Sequence, residues 1–201
     1  DERELKAVQD DMAAQRADIE TTAEDAAAKE ASAEISAREA MNRAAVSRIQ
    51  TAVDTGTGFA SALGDLAAGG QEVPEILQRV STSGVASVAT LQSTFPAVAR
   101  QALEASRSAS VGSGEQSGFV AFMKNQLGAR SLEPRDGDDA DAVLSRAEAA
   151  LGDGRLGDAL AEIETMPEGA RAEMTGWLAQ ATERLDALAA LETLTQSLNT
   201  N

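Results

Sequence analysis

Residues 1–53 read DERELKAVQDDMAAQRADIETTAEDAAAKEASAEISAREAMNRAAVSRIQTAV, a stretch without a proline or a glycine. Within it Leu5, Val8, Met12 and Ile19 recur at spacings of three, four and seven residues, which is typical of one helix face. Because so narrow a seam needs a partner helix, we expect the end of a coiled coil whose oligomer interface these residues form. Residues 21–40 carry mainly alanine and acidic side chains, and they fit a single charged helix equally well.

Beyond this stretch the sequence changes to short apolar segments separated by glycine and proline, which predicts a bundle of short helices over residues 54–201. Phe95-Pro96 predicts a helix boundary or a kink. Residues 106–117 are rich in serine and glycine and are the best candidate for a linker. The whole chain is therefore predicted to be all-α, a long N-terminal coiled-coil helix followed by a helical domain.

Composition excludes several classes of function. The chain has 33 acidic and 17 basic residues and a net charge of −16, which argues against nucleic acid as a partner. It has no histidine and no cysteine, so it lacks the commonest general base, the commonest metal ligand, thiol catalysis and cysteine zinc sites. The aspartates at 136–141 lack the spacing of a calcium loop and are expected to cap a helix. We expect no catalytic residues, no metal, no cofactor and no enzymatic activity.

Residues 118–135 depart from the acidic trend. Between Arg100 and Arg135 there are five basic and three acidic residues, a local charge of +2. Apolar bulk beside basic side chains is typical of a helix that lies on an anionic membrane. Phe119, Phe122 and Met123 also fit ordinary core residues of the helical domain or a helix–helix interface, and these alternatives stay open. The candidate membrane-binding residues are Phe119, Val120, Phe122, Met123, Lys124, Leu127 and Arg130.

The segment 154–160, GRLGDAL, is similar to part of a tetratricopeptide hairpin, and Trp177 is a natural anchor for the long helix after it. Such helix pairs bind proteins. The candidate partner or oligomer residues of this region are Leu156, Leu160, Trp177 and Leu178. They support an alternative function, a soluble helical adaptor that binds protein partners without touching lipid.

Seven segments, in their order along the chain, resemble the C-terminal part of a bacterial mitofilin, the core subunit family of the mitochondrial MICOS complex. The resemblance covers about residues 45–198. The segments are GVASVATL (84–91), FPAVAR (95–100), RSLEPR (130–135), GDD (137–139), RAEAAL (146–151), GRLGDALAE (154–162) and WL (177–178).

The resemblance implies a membrane-organising scaffold that shapes invaginations of the inner membrane. The high alanine and arginine usage indicates a bacterium of high GC content, for which an alphaproteobacterium is the natural source. The resemblance also implies a transmembrane anchor upstream of residue 1, a coiled coil of which residues 1–53 are the end, and a mitofilin domain that faces the periplasm. The family's amphipathic membrane-binding helix corresponds to residues 119–127. The partners it implies are further copies of the chain, as a dimer or a tetramer, anionic lipids, and other membrane-contact-site proteins, including outer-membrane ones.

Overall fold

The structure, a computed structural model, describes residues 1–112 and 137–200, with the backbone alone at 110–112. These residues lie in helices, turns and loops, and the all-α prediction is confirmed. The helices of this part of the chain are α1 (Glu2–Thr55), α2 (Ala60–Ala68), α3 (Glu75–Val80), α4 (Val88–Gly112), α5 (Ala140–Gly152), α6 (Leu156–Glu164), α7 (Glu168–Ala172) and α8 (Thr175–Thr200).

Helix α1 has an exposed part and a buried part. Every residue from 1 to 41 is exposed, and burial begins at Asn42. The helix ends at Gly56, which has a φ of +76° and donates its N–H to the Ala52 carbonyl oxygen. Glycine adopts this left-handed conformation at little cost, so the helix stops here, close to the predicted boundary between residues 53 and 54. We call residues 1–41 the stalk.

The last turns of α1 pack with α2, α3 and the second half of α8 around one hydrophobic core, here called the α1 core. Its apolar side chains are almost completely removed from water, which is the main source of its stability. The larger buried side chains of the α1 core are Ile49, Val53, Phe59, Leu66, Leu77, Val80 and Leu191. Residues 42–53 therefore belong to the folded domain, although the sequence placed them in the coiled coil.

A second core, here called the α5 core, joins α4 to α5, α6, α7 and the first half of α8. The ring of Trp177 meets the ring of Phe95 edge to face, with centroids 5.1 Å apart and planes inclined by 66°. The indole Nε1 also donates to the Leu91 carbonyl oxygen at 3.0 Å. Further large buried residues of the α5 core are Leu144, Leu151, Ile163 and Met174. Helix α8 runs through both cores and holds them together.

Helix α4 bears on two of the predictions. It continues through Pro96, so of the two alternatives for Phe95-Pro96 the helix boundary is wrong, and the kink stays a prediction. It also continues to Gly112, so the first seven residues of the predicted linker at 106–117 are helical. Serine is tolerated there because its hydroxyl can bond back to the preceding turn, as Ser108 does to the Glu104 carbonyl oxygen at 2.9 Å. The rest of that linker lies outside the described residues.

None of the helices in the two described stretches combines the length and the hydropathy that a membrane span requires.

Candidate interaction surfaces

The stalk exposes the apolar seam that the sequence predicts. Leu5, Val8, Met12 and Ile19 have 65%, 56%, 49% and 70% of their surface exposed, and all four lie on the part of α1 that the domain does not cover. Exposed apolar side chains in such a row lose contact with water when a second helix packs along them. Their role as an oligomer interface stays a prediction.

The predicted partner residues of the C-terminal region lie in the α5 core or against it. Leu156 and Trp177 are 5% and 4% exposed and are core residues of this chain. Leu160 and Leu178 are partly buried against the same core, so only these two still offer apolar surface to a partner. The indole of Trp177 anchors α8, as its sequence position suggests. It does so inside the domain and not against a partner protein.

An open groove that sequence reasoning missed lies between α3, α7 and α8. Arg79 of α3 lies on one side, Arg171 of α7 on another, and Leu178 of α8 contributes apolar surface. Glu183 and Asp186 add negative charge to the same groove. Nothing in the sequence pattern signals this groove, because only folding brings residue 79 beside residues 168–186.

The turn between α5 and α6 is held by ion pairs. Arg155 donates to Asp158 at 2.6 Å and to Asp153 at 3.1 Å. These two carboxylates, Asp158 foremost, raise the pKa of Arg155 above its ordinary value. Arg146 links the two helices through Glu162 at 2.9 Å. This region is a well-formed helical hairpin.

Asp139, from the predicted capping cluster, is the N-cap of α5. Its side chain accepts a hydrogen bond from the Ala142 N–H at 3.0 Å. This confirms the expected capping role, which satisfies a donor that the helix leaves free. Within 1–112 and 137–200, no cluster of three or more potential metal-ligating side chains occurs.

Two buried polar side chains connect the buried part of α1 to the rest of the domain, and the sequence did not single out either. Asn42, 3% exposed, lies where α1 first touches α2, and its Nδ2 donates to the Gly69 carbonyl oxygen at 3.5 Å. Arg184, 4% exposed, donates from α8 to the Val53 carbonyl oxygen at the end of α1 at 2.6 Å. The direction in which the stalk leaves the domain is therefore held by polar contacts as well as by the α1 core.

The candidate membrane-binding residues cannot be placed on this fold. Phe119, Val120, Phe122, Met123, Lys124, Leu127 and Arg130 all lie outside the described residues. Their contact with lipid stays a prediction from the sequence.

Comparison with protein families gives a match. A family model described as "Mitofilin: Mitochondrial inner membrane protein" matches residues 61–199, about two thirds of the chain. The matched region begins in α2 and runs to the end of α8. The comparisons with curated proteins and with solved structures return no match.

Proposed function

Because the chain belongs to the mitofilin family, a family of structural inner-membrane proteins rather than of enzymes, we propose that it is part of a scaffold that shapes invaginations of an inner membrane. Copies of the chain associate through the stalk, and residues 118–135 contact anionic lipid. The domain works on the periplasmic side of that membrane, or in the intermembrane space of a mitochondrion. Other membrane-contact-site proteins, including outer-membrane ones, are its further partners.

The observation that carries this proposal is the combination of the family match with the exposed stalk. The matched residues, together with residues 42–60, form a body with two cores, and the stalk adds forty helical residues that project from it. At 1.5 Å per residue those residues reach about 60 Å, enough to join bodies that do not touch. A projecting helix with an apolar seam suits a protein that links copies of itself.

Lipid contact is supported by the charge pattern of the sequence. A chain of net charge −16 is repelled by an anionic membrane unless a local surface is basic and apolar. Residues 118–135 combine two phenylalanines with Lys124, Arg130 and Arg135. Their apolar side chains enter the headgroup region while the cations bind anionic lipid.

Co-sedimentation with vesicles tests the proposal. The chain is mixed with phosphatidylglycerol-containing vesicles and with phosphatidylcholine vesicles, beside a Phe119→Asp/Phe122→Asp variant. A matched control, Ala28→Asp/Ala31→Asp, adds the same two charges to exposed stalk positions. Circular dichroism first establishes that all three proteins are folded. We expect the parent and the control to pellet with anionic vesicles and the phenylalanine variant to stay in the supernatant.

A parent protein that remains in the supernatant with both lipids contradicts lipid contact by this chain. That result favours the second candidate function, a helical adaptor that binds proteins and is indifferent to lipid. The groove between α3, α7 and α8 supports this alternative, because it offers the apolar surface of Leu178 beside the charges of Arg79 and Asp186.

A further inference from the structure

The groove between α3, α7 and α8 runs along the outer face of α8. Thr175, Ala179, Thr182 and Asp186 line it from this helix, at spacings of three and four residues. The opposite face of α8 is buried in the two cores. The lining residues span eleven residues of sequence, or about 16 Å of helix axis. A helix of about three turns therefore matches the groove in length.

The groove exposes apolar surface between its polar side chains. Ala172 of α7 and Ala179 of α8 are exposed, and Leu178 is partly buried against the α5 core. A second helix that packs along α8 removes these side chains from water, as in other complexes in which a helix binds a groove.

The charged side chains of the groove do not pair with one another. Arg79 lines it from α3, and Glu183 and Asp186 line it from α8. Among the ion pairs and hydrogen bonds of residues 1–112 and 137–200, none involves the side chain of any of these three. The groove therefore holds a cation on one wall and two carboxylates on another, all available to the charges of a bound partner.

The charge around the groove limits what it can bind. Residues 164–192, which contain α7 and most of α8, include six acidic and two basic residues, a local charge of −4. One of the two basic residues, Arg184, is buried and directed towards α1. Such a surface repels anionic lipid and nucleic acid. A second copy of the chain, with a net charge of −16, is disfavoured at this groove for the same reason.

We propose that this groove binds a helical segment of a different protein, with basic side chains on the edge that faces α8 and an acidic side chain on the edge that faces α3. The basic side chains lie against Glu183 and Asp186, and the acidic one lies against Arg79. Apolar side chains of the segment cover Leu178. The inference rests on the binding of further protein partners in the proposed function, and it adds the surface and the chemistry of the partner.

Amide chemical shifts test the location. The probe is a synthetic amphipathic peptide of about four helical turns, made of leucine, alanine, lysine and glutamate, with lysines on one edge and a glutamate on the other. A peptide of the same composition in scrambled order is the control. The full chain is titrated with each, and we expect the first peptide to shift the amides of Arg79, Thr175 and Thr182. No shift at these amides, or equal shifts with the scrambled peptide, overturns the inference.

Charge reversal tests the predicted pairs. Glu183→Lys/Asp186→Lys should raise the dissociation constant of the dye-labelled peptide about tenfold, because two attractions become repulsions. Glu20→Lys/Glu24→Lys makes the same change of net charge at exposed stalk positions and should alter it less than about twofold. Circular dichroism first establishes that both variants are folded. Equal losses in the two variants would mean that the peptide responds only to net charge, which overturns the site.

An uncharged substitution tests the shape of the groove. Ala179→Gln places a longer side chain on its apolar surface and should weaken peptide binding about fivefold or more, because the packed helix needs that space. Ala189→Gln makes the same change at an exposed position of α8 outside the groove and should have little effect. If the two variants bind the peptide equally well, a helix does not pack along this part of α8.

Sedimentation of the chain alone identifies a different occupant. Glu183→Lys/Asp186→Lys makes the chain less acidic, so general repulsion between copies decreases. If this variant nevertheless associates with itself more weakly than the parent, a second copy occupies the groove, and a different protein as partner is overturned.

The vesicle experiment does not involve the groove, so the two proposals fail separately. A chain that pellets with anionic vesicles but does not bind the peptide overturns this inference and leaves the lipid contact standing. A chain that binds the peptide in the groove but ignores vesicles supports this inference and contradicts the lipid contact.

Discussion

Arg184 joins the two cores at a single residue. Besides its bond to Val53, its guanidinium donates to the Ala86 carbonyl oxygen at 3.2 Å and to the Asp54 carboxylate at 3.4 Å. Val53 lies in the last turn of α1, where a carbonyl oxygen receives no hydrogen bond from within the helix. The guanidinium of Arg184 therefore takes the place that water would otherwise occupy. Asp54 is 71% exposed, so most of the contribution of Arg184 comes from the buried carbonyls.

Replacing this side chain tests that assignment. We expect Arg184→Met to lower the free energy of unfolding by about 2–4 kcal/mol, because two carbonyl oxygens lose their buried donor. Arg48→Met is the matched control, since Arg48 forms a 2.6 Å ion pair with Asp65 in which both side chains are about half exposed. That change should cost less than about 1 kcal/mol. Urea unfolding followed by Trp177 fluorescence measures both, and equal losses would contradict the role of the carbonyls.

Sequence reasoning could not find Arg184 for a physical reason. Its acceptors at Val53 and Ala86 are about a hundred residues earlier in the chain, and they are backbone groups that any sequence provides. The role of Trp177 was easier to predict from the sequence, because a large amphipathic ring in an apolar helix nearly always fixes that helix against its neighbours. The sequence nevertheless could not decide whether that anchor served a partner or the chain's own core.

At the scale of elements, α1 and α2 pack closely where the stalk meets the domain. A Cβ atom added at Gly69 would overlap the Oδ1 atom of the buried Asn42, whereas one added at Gly64, inside α2, would meet nothing within 4 Å. Both glycines sit on one short helix or at its end, so they form a natural pair for comparison.

We expect Gly69→Ala to destabilise the domain by about 1–3 kcal/mol, because Asn42 has no exposed space to move into. Gly64→Ala should instead stabilise it by about 0.5–1 kcal/mol, because alanine loses less backbone entropy in a helix. Thermal unfolding of the two variants beside the parent measures the difference. If Gly69→Ala is as stable as the parent, the α1–α2 contact is looser than the structure describes.

The boundaries of the elements show what local pattern can and cannot predict. The end of α1 at Gly56 and the cap of α5 at Asp139 depend on neighbouring residues alone, and the sequence predicts both. The division of α1 into an exposed and a buried part at Asn42 does not depend on neighbouring residues. The helical sequence pattern is continuous there, and only the position of α2 and α8 decides which turns of α1 are covered. Residues 106–112 were misjudged because serine-rich sequence fits a linker and a helix end about equally well.

At the scale of the molecule, stability is unevenly distributed along the chain. The stalk contributes about a quarter of the helical residues of the described ranges but no buried side chain. Isolated helices are held by weak local interactions and melt gradually, whereas the two cores share α8 and should unfold together. The structure therefore predicts two kinds of melting within one chain.

Circular dichroism and Trp177 fluorescence distinguish the melting of the stalk from that of the two cores, because Trp177 is the only tryptophan and lies in the α5 core. At low concentration, where paired stalks dissociate, circular dichroism should begin to fall well before the cooperative change in Trp177 fluorescence. Deleting residues 1–40 should remove the early loss of ellipticity and make the two curves coincide. It should shift the fluorescence midpoint by less than about 2 °C, because the stalk contributes no core contact. A larger drop would mean that the stalk supports the domain, and the separation of the chain into a stalk and a two-core body would then be wrong.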